Sequence, residues 1–270
     1  MGVVNVTTDS FSDGGRYVEA DMAVRHAFRL VEEGADIVDI GAESTRPGAG
    51  AVSQEEEIDR LLPILRALRN ERIPVSVDTM KPGVMRMAID EGASLINDIN
   101  ALRAQGAVEA VAGSGAGVCL MHMRGNPATM QDSPAYADVI AEVRQFLAGR
   151  VAAAEAGGVA RERISIDPGF GFGKTAEHNM CILRELKEIG ALGLPVTFGA
   201  SRKSTLGAVT GRPVGERVCG SVAAALLAVE RGAAIVRVHD VAPTRDAIAV
   251  WLAMSGQAMK STSELIRGMQ

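Results

Sequence analysis

The chain has 270 residues, enough for one large domain or two small ones, and enough to bury a substantial core. Its 47% hydrophobic and 23% charged content excludes a disordered chain, while three cysteines (Cys119, Cys181 and Cys219) without metal-ligand spacing exclude a disulfide scaffold and point to the reducing cytoplasm. A formal net charge of −5 argues against nucleic acid or an anionic membrane surface as partner, and no apolar run reaches the ~18 residues of a membrane span.

Val- and Ile-rich runs alternate with helical patterns along the whole chain, the signature of βα units. Strands are predicted at Val3 to Val6, Asp36 to Gly41, Pro74 to Asp78, Leu95 to Ile99, Gly117 to Met123, Ile164 to Pro168, Val196 to Ser201 and Ile235 to Asp240. Most are apolar on consecutive residues, as in a parallel sheet covered on both faces. Ser53-Gln-Glu-Glu56 reads as a capping box before a helix carrying Ile58, Leu61, Leu62, Leu65 and Leu68. A second helix, from about Tyr136 to Ala156, places Val139, Ile140, Val143, Phe146, Leu147 and Val151 on one stripe. Gly34, Gly92, Gly115, Gly158, Gly190 and Gly232 fit helix C-caps with left-handed backbone. The pattern fits a single-domain (β/α)8 TIM barrel over 1–258, with 259–270 as a peripheral tail; an open, doubly wound sheet is the alternative.

Every predicted strand delivers something polar at its carboxyl end, where a barrel gathers its chemistry. Asp78, Asn97 and Asp167 end otherwise apolar strands and suit a flat heterocycle with an amino-amidine edge, or else an ion pair with Lys203. Arg46, Arg202, Lys203, Arg237 and His239 form a cationic set suited to a phosphate, diphosphate or carboxylate, with Ser204 opening the next helix. Asn5 could add an oxygen ligand for a Mg²⁺ that keeps most of its water. His122 also ends a strand. Pro168-Gly-Phe-Gly-Phe-Gly173 matches a dinucleotide loop only superficially. Four of the six Phe residues, Phe11, Phe170, Phe172 and Phe198, fall at strand ends or in loops, which suggests walls for a ring.

These segments resemble dihydropteroate synthase of the pterin-binding family. The matching stretches are Asn5-Val-Thr-Thr-Asp-Ser-Phe-Ser-Asp-Gly-Gly15, Gly41-Ala-Glu-Ser-Thr-Arg-Pro-Gly48, Val77-Asp-Thr79, Ile96-Asn-Asp-Ile99, Leu120-Met-His-Met123, Asp167-Pro-Gly-Phe-Gly-Phe-Gly-Lys174, Ser201-Arg-Lys-Ser204 and Arg237-Val-His239. The resemblance implies a transferase of folate biosynthesis that condenses 6-hydroxymethyl-7,8-dihydropterin diphosphate with 4-aminobenzoate, assisted by Mg²⁺. It implies that Asp78, Asn97, Met121, Asp167, Phe172 and Lys203 hold the pterin. Phe11, Thr45, Arg46, Pro47, Phe172 and Ser204 would hold 4-aminobenzoate, and Asn5, Arg46, Arg237 and His239 the diphosphate, with Asn5 on the metal. Asp78, Lys203, Arg237 and His239 are the catalytic candidates. Sulfonamide inhibition and a homodimer are implied as well.

Three departures from the family pattern stand out: Thr8 where Pro is usual, Phe198 where a smaller residue is expected, and few residues before Asn5, so that an N-terminal segment closing the barrel's bottom is largely absent. The competing readings are a catalytically silent pterin-binding paralogue and a pterin-dependent methyltransferase. The first predicts loss of Asn5, Arg237 and His239, and the second has no need of the Ser201-Arg-Lys-Ser204 run.

Overall fold

A computed structural model describes residues 1–6, 15–44 and 50–256, with backbone alone at 15–18. Eight strands form one parallel sheet in sequence order: β1 (Gly2–Asn5), β2 (Val38–Gly41), β3 (Val75–Asp78), β4 (Leu95–Asp98), β5 (Gly117–Met121), β6 (Ile164–Asp167), β7 (Val196–Phe198) and β8 (Ala233–Val236). The last strand returns to the first. Val3 N donates to Val238 O and Val238 N to Met1 O, both at 3.0 Å, and Gly2 pairs in parallel with Val238. Sequential order with this return gives a TIM-barrel-like α/β fold and rules out the open sheet, whose strand order reverses at a switch point.

The helices are α1 (Gly15–Glu32), α2 (Gln54–Leu68), α3 (Pro82–Asp90), α4 (Ala107–Ala112), α5 (Val139–Ala156), α6 (Ala176–Arg184), α7 (Leu186–Gly190), α8 (Ser204–Thr210), α9 (Val218–Glu230) and α10 (Val241–Met254). In α5, Val139, Val143, Leu147 and Val151 recur every fourth residue and all are buried. The helix begins later than its sequence pattern suggests, because the Asp138 carboxylate caps it by accepting from Ile140 N and Ala141 N at 2.9 and 3.0 Å. Tyr136, freed from the helix, donates its hydroxyl to Gly173 O at 2.7 Å. At α2, Ser53 Oγ accepts from Glu56 N at 3.1 Å, but Glu56 spends its carboxylate on Arg60, so only one arm of the expected capping box is made. Gly34, Gly92, Gly158 and Gly232 are left-handed as expected; Gly115 and Gly190 are not, and Gly193 makes the left-handed turn after α7 instead.

The core is aliphatic and continuous between sheet and helices, and among the described residues no helix is long and apolar enough to cross a membrane. Two of the four loop and strand-end Phe residues belong to this core. Phe170 and Phe198 are buried and meet edge to face at 5.3 Å between centroids, so neither walls a ligand. Phe198 fills the space beneath the loop after β6, which explains why a residue larger than expected is accommodated in β7. Phe198→Ala is expected to cost about 3–5 kcal/mol of stability, read as a lower urea midpoint at unchanged slope.

Candidate active site

The carboxyl ends of the strands converge on a compact polar cluster. From the end of β8, Arg237 donates Nε to Asp39 Oδ2 at 2.6 Å and Nη2 to Asp78 Oδ2 at 2.9 Å. Asn97 on β4 donates Nδ2 to the same Asp39 oxygen at 3.3 Å. Asp78 is therefore paired with Arg237; neither an unpaired carboxylate nor a partner of Lys203 describes it. Burial nevertheless pushes its pKa up to about 7, against the pull of Arg237 and with the help of Asp39, Glu57 and Asp98. Arg237 is disfavoured by burial, but Asp39 and Asp78 outweigh that and raise its pKa.

Asp167 and Lys203 form the second part. Burial raises Asp167, opposed by the Lys203 charge and by Gly169 N, which donates to Asp167 Oδ1 at 2.6 Å. Burial lowers Lys203 to about 8, opposed by Asp167 and Asp78. Lys203 Nζ donates to Phe170 O at 2.5 Å and lies 4.6 Å from the centre of the Phe172 ring. Phe172 in turn packs with Ile99, Met121, Met123, Met130 and Met80 in a small apolar cluster separate from the main core. Met121 and Phe172 thus supply the apolar wall of the cluster whose polar edge is Asn97, Asp167 and Lys203.

The loop after β6 owes its shape to a buried ammonium. Lys174 Nζ donates to Gly169 O at 2.9 Å and Phe172 O at 3.0 Å, and meets His122 Nδ1 at 2.8 Å. Gly169 and Gly171 have φ of 69° and 84°, and a Cβ on either would strike the His122 carbonyl or the Lys203 side chain. His122 is held neutral, its pKa lowered to about 2 by burial and by Lys174, and its ring stands edge-on to Phe146 at 4.9 Å. It is a packing residue of this loop. Asp98 is likewise structural, accepting from Asn100 N and Leu102 N at 2.7 Å each.

The anion-facing set is smaller than the sequence suggests. Arg202 has φ 59° and gives Nε and Nη2 to the Asp240 carboxylate at 3.0 and 2.5 Å, so it leaves the cationic group. His239 is not cationic either, because burial and the guanidiniums of Arg237 and Arg202 lower it to about 4. Its backbone N donates to Ser201 Oγ at 3.1 Å and its Nδ1 lies 3.0 Å from the same oxygen. The Ser201 hydroxyl thus meets both the backbone N and the ring Nδ1 of His239 and fixes the orientation of the imidazole. Ser204 is exposed at the start of α8, and Asn5 is exposed at the end of β1. Phe11, Thr45, Arg46 and Pro47 lie outside the described residues, as do Thr8 and 259–270.

Among the described residues no three His, Cys, Asp or Glu side chains gather to hold a metal ion. One amide oxygen at Asn5 fits a Mg²⁺ carried by phosphate oxygens and water, which needs one or two protein ligands, and does not fit a protein-caged ion. Sequence reasoning passed over Asp39, Lys174 and Ser201 as individual site residues. Asp39 could have been found: Gly41 pairs with Asp78, so Asp39 lies two residues deeper on the same face of the sheet.

The chain matches the pterin binding enzyme family over residues 1–239. It is 48% identical to dihydropteroate synthase of Escherichia coli (strain K12) over 251 residues, covering 93% of this chain and 89% of the relative. Among solved structures, dihydropteroate synthase of Xanthomonas albilineans with 4-aminobenzoic acid superposes with a TM-score of 0.89 at 53% identity, covering 94% of this chain and 92% of that one. The Yersinia pestis dihydropteroate synthase, in a sulfonamide drug complex, gives 0.90 at 46% identity over 95% and 94% of the two chains. The chain belongs to the pterin binding enzymes, within their dihydropteroate synthase branch.

Proposed function

We infer that the protein condenses 6-hydroxymethyl-7,8-dihydropterin diphosphate with 4-aminobenzoate, giving 7,8-dihydropteroate and diphosphate. The observation that carries this reading is the joining of a carboxylate and amide edge (Asp78, Asn97, Asp167) to an Arg237 and His239 donor pair in one cluster, on a chain whose relatives are synthases of this kind. The silent paralogue and the methyltransferase gain no support: Asn5, Arg237 and His239 are present, and the relatives named above are synthases.

The proposed roles follow the geometry. Asp167, Asn97 and Lys203 grip the pterin ring between Met121 and Phe172, with Asp78 below the methylene. Arg237 and neutral His239 donate to the diphosphate. The carbon–oxygen bond breaks with its electron pair leaving on diphosphate, the cationic methylene is stabilised by Asp78, and the neutral aniline nitrogen attacks to form the new carbon–nitrogen bond, its proton passing to water. No protein nucleophile is needed. Asn5 and the substrate's phosphate oxygens would hold Mg²⁺, which when bound neutralises charge on the diphosphate. Phe11, Thr45, Arg46, Pro47 and Ser204, beside Phe172, are proposed for 4-aminobenzoate, and Arg46 for the diphosphate.

The proposed setting is the cytoplasm, in keeping with free cysteines at 119, 181 and 219, and the catalytic barrel is assigned to 1–258 with a peripheral tail at 259–270. A homodimer is proposed on the exposed apolar side chains Leu227, Val250 and Met254 of α9 and α10. Ile248 and Leu252 of α10 line a cavity of about 440 Å³ at the amino-terminal end of the barrel.

Diphosphate release will require both the pterin diphosphate and 4-aminobenzoate, and Asp78→Ala will lower kcat by about 10²–10³-fold, more than it weakens pterin binding; equal kcat removes Asp78 from the transition state. Plotted against pH, kcat/KM will climb as Asp78 loses its proton near pH 7 and drop as Lys203 loses its own near pH 8, a narrow bell reporting the free enzyme; an acid limb near pH 4 would contradict it. A sulfonamide will raise the KM for 4-aminobenzoate without changing kcat in initial-rate measurements, and full turnover at millimolar drug would remove the shared pocket.

A further inference from the structure

Asp39 touches no open space, yet it meets two of the groups assigned to substrate. Its carboxylate is wholly buried on β2, and one oxygen accepts from both Arg237 Nε and Asn97 Nδ2. Its other oxygen is buried without a hydrogen-bond partner among the described residues. A carboxylate taken out of water in this way is costly unless it is strongly paired, and Arg237 supplies that pairing.

Counting donors shows what the pairing imposes. An ionised carboxylate only accepts, so Asn97 must turn its NH₂ toward Asp39, and its Oδ1 is the group left to meet a donor on a ligand. Arg237 has five N–H donors, of which Nε is committed to Asp39 and one on Nη2 to Asp78. The other three lie in the same plane along its remaining edges. Fixing Nε at β2 and Nη2 at β3 removes rotation about the last side-chain bonds, so the outer N–H groups meet an anion already aligned.

We propose that Asp39 is a positioning residue, acting through Arg237 on the diphosphate and through Asn97 on the pterin ring. It sets the amide of Asn97 as an acceptor toward the ligand, and it orients the guanidinium that receives the leaving group. This rests on the transferase reading above.

The test is Asp39→Asn, which keeps volume but removes the charge and introduces a donor at one of the two carboxylate positions. Cooperative melting and an unchanged circular dichroism spectrum establish that the variant is folded. Calorimetry then compares the pterin diphosphate with 6-hydroxymethylpterin, which lacks the diphosphate. Both are expected to bind more weakly, the diphosphate compound by the larger factor, with kcat/KM for the pterin substrate down by about ten- to a hundredfold and the KM for 4-aminobenzoate changed by less than about twofold. Wild-type binding of both ligands overturns the proposal, as does an equal loss for both pterin substrate and 4-aminobenzoate, the mark of a merely structural role. If the wild type binds pterins but releases no diphosphate, the transferase reading fails while the binding comparison still decides Asp39. If the variant does not fold, nitrogen-15 spectra of the wild type decide: a slowly exchanging Arg237 Nε–H, assigned by its disappearance in Arg237→Lys, supports the proposal, and a rapidly exchanging one overturns it.

Discussion

Arg237 is the group on which the rest of the site depends. It stands just past the last strand of the ring and reaches carboxylates on the second and third, so one guanidinium ties the point where the barrel closes to the strands that begin it. Burial drives Asp78 above the ordinary carboxylate range, and Arg237 is the charge that opposes this. The guanidinium suits the task as an ammonium would not: it is always charged and offers several donors in one rigid plane, so it can serve Asp39 and Asp78 and still face an anion.

The opposite side of the mouth solves a different problem with a different cation. There Gly169, Gly171 and Gly173 all take positive φ, and the carbonyls that the loop turns inward need donors. Lys174 collects those carbonyls around its ammonium, and the glycines allow the close approach. Burial works strongly against its charge, and Asp167 is the carboxylate that opposes this. The same loop presents Phe172 to Lys203 and the Gly169 amide to Asp167, so the buried lysine sets the groups proposed to hold the pterin.

Much of this was legible in the sequence, and the exceptions have physical causes. Eight apolar runs followed by polar residues state both the strands and the end of the barrel where chemistry gathers, because a parallel strand buried on both faces carries its charged groups mostly at its ends. Asp39 breaks that rule and was hidden by it: it sits inside Val38-Asp-Ile-Gly41, where an apolar run conceals which residues face inward. Arg202 and Lys203 are neighbours in sequence, yet a left-handed backbone at Arg202 sends its side chain to Asp240 while Lys203 enters the site, a divergence that no spacing rule contains. Phe198 and Phe170 looked like ligand walls for the same reason that they are core: the strand ends and the loop above them share one packed interior.

The charges that remain explain why one pocket can hold a donor-rich ring and an anionic tail together. Asp98 is consumed by backbone amides, Lys174 by carbonyls and Arg202 by Asp240, leaving Asp39, Asp78 and Asp167 against Arg237 and Lys203. That remainder is short of positive charge at the carboxylates, which favours ring N–H donors and a developing cation beside Asp78. Among the described residues, the donors of Arg237 not given to Asp39 and Asp78 are the ones an anion can gather. On the proposed reading, a bipolar substrate lies with its ring toward the acidic floor and its leaving group toward the donors. Breaking the bond between the two halves would then move each charge toward the side already prepared for it, which is the condition for stabilising separation of charge by preorganised groups.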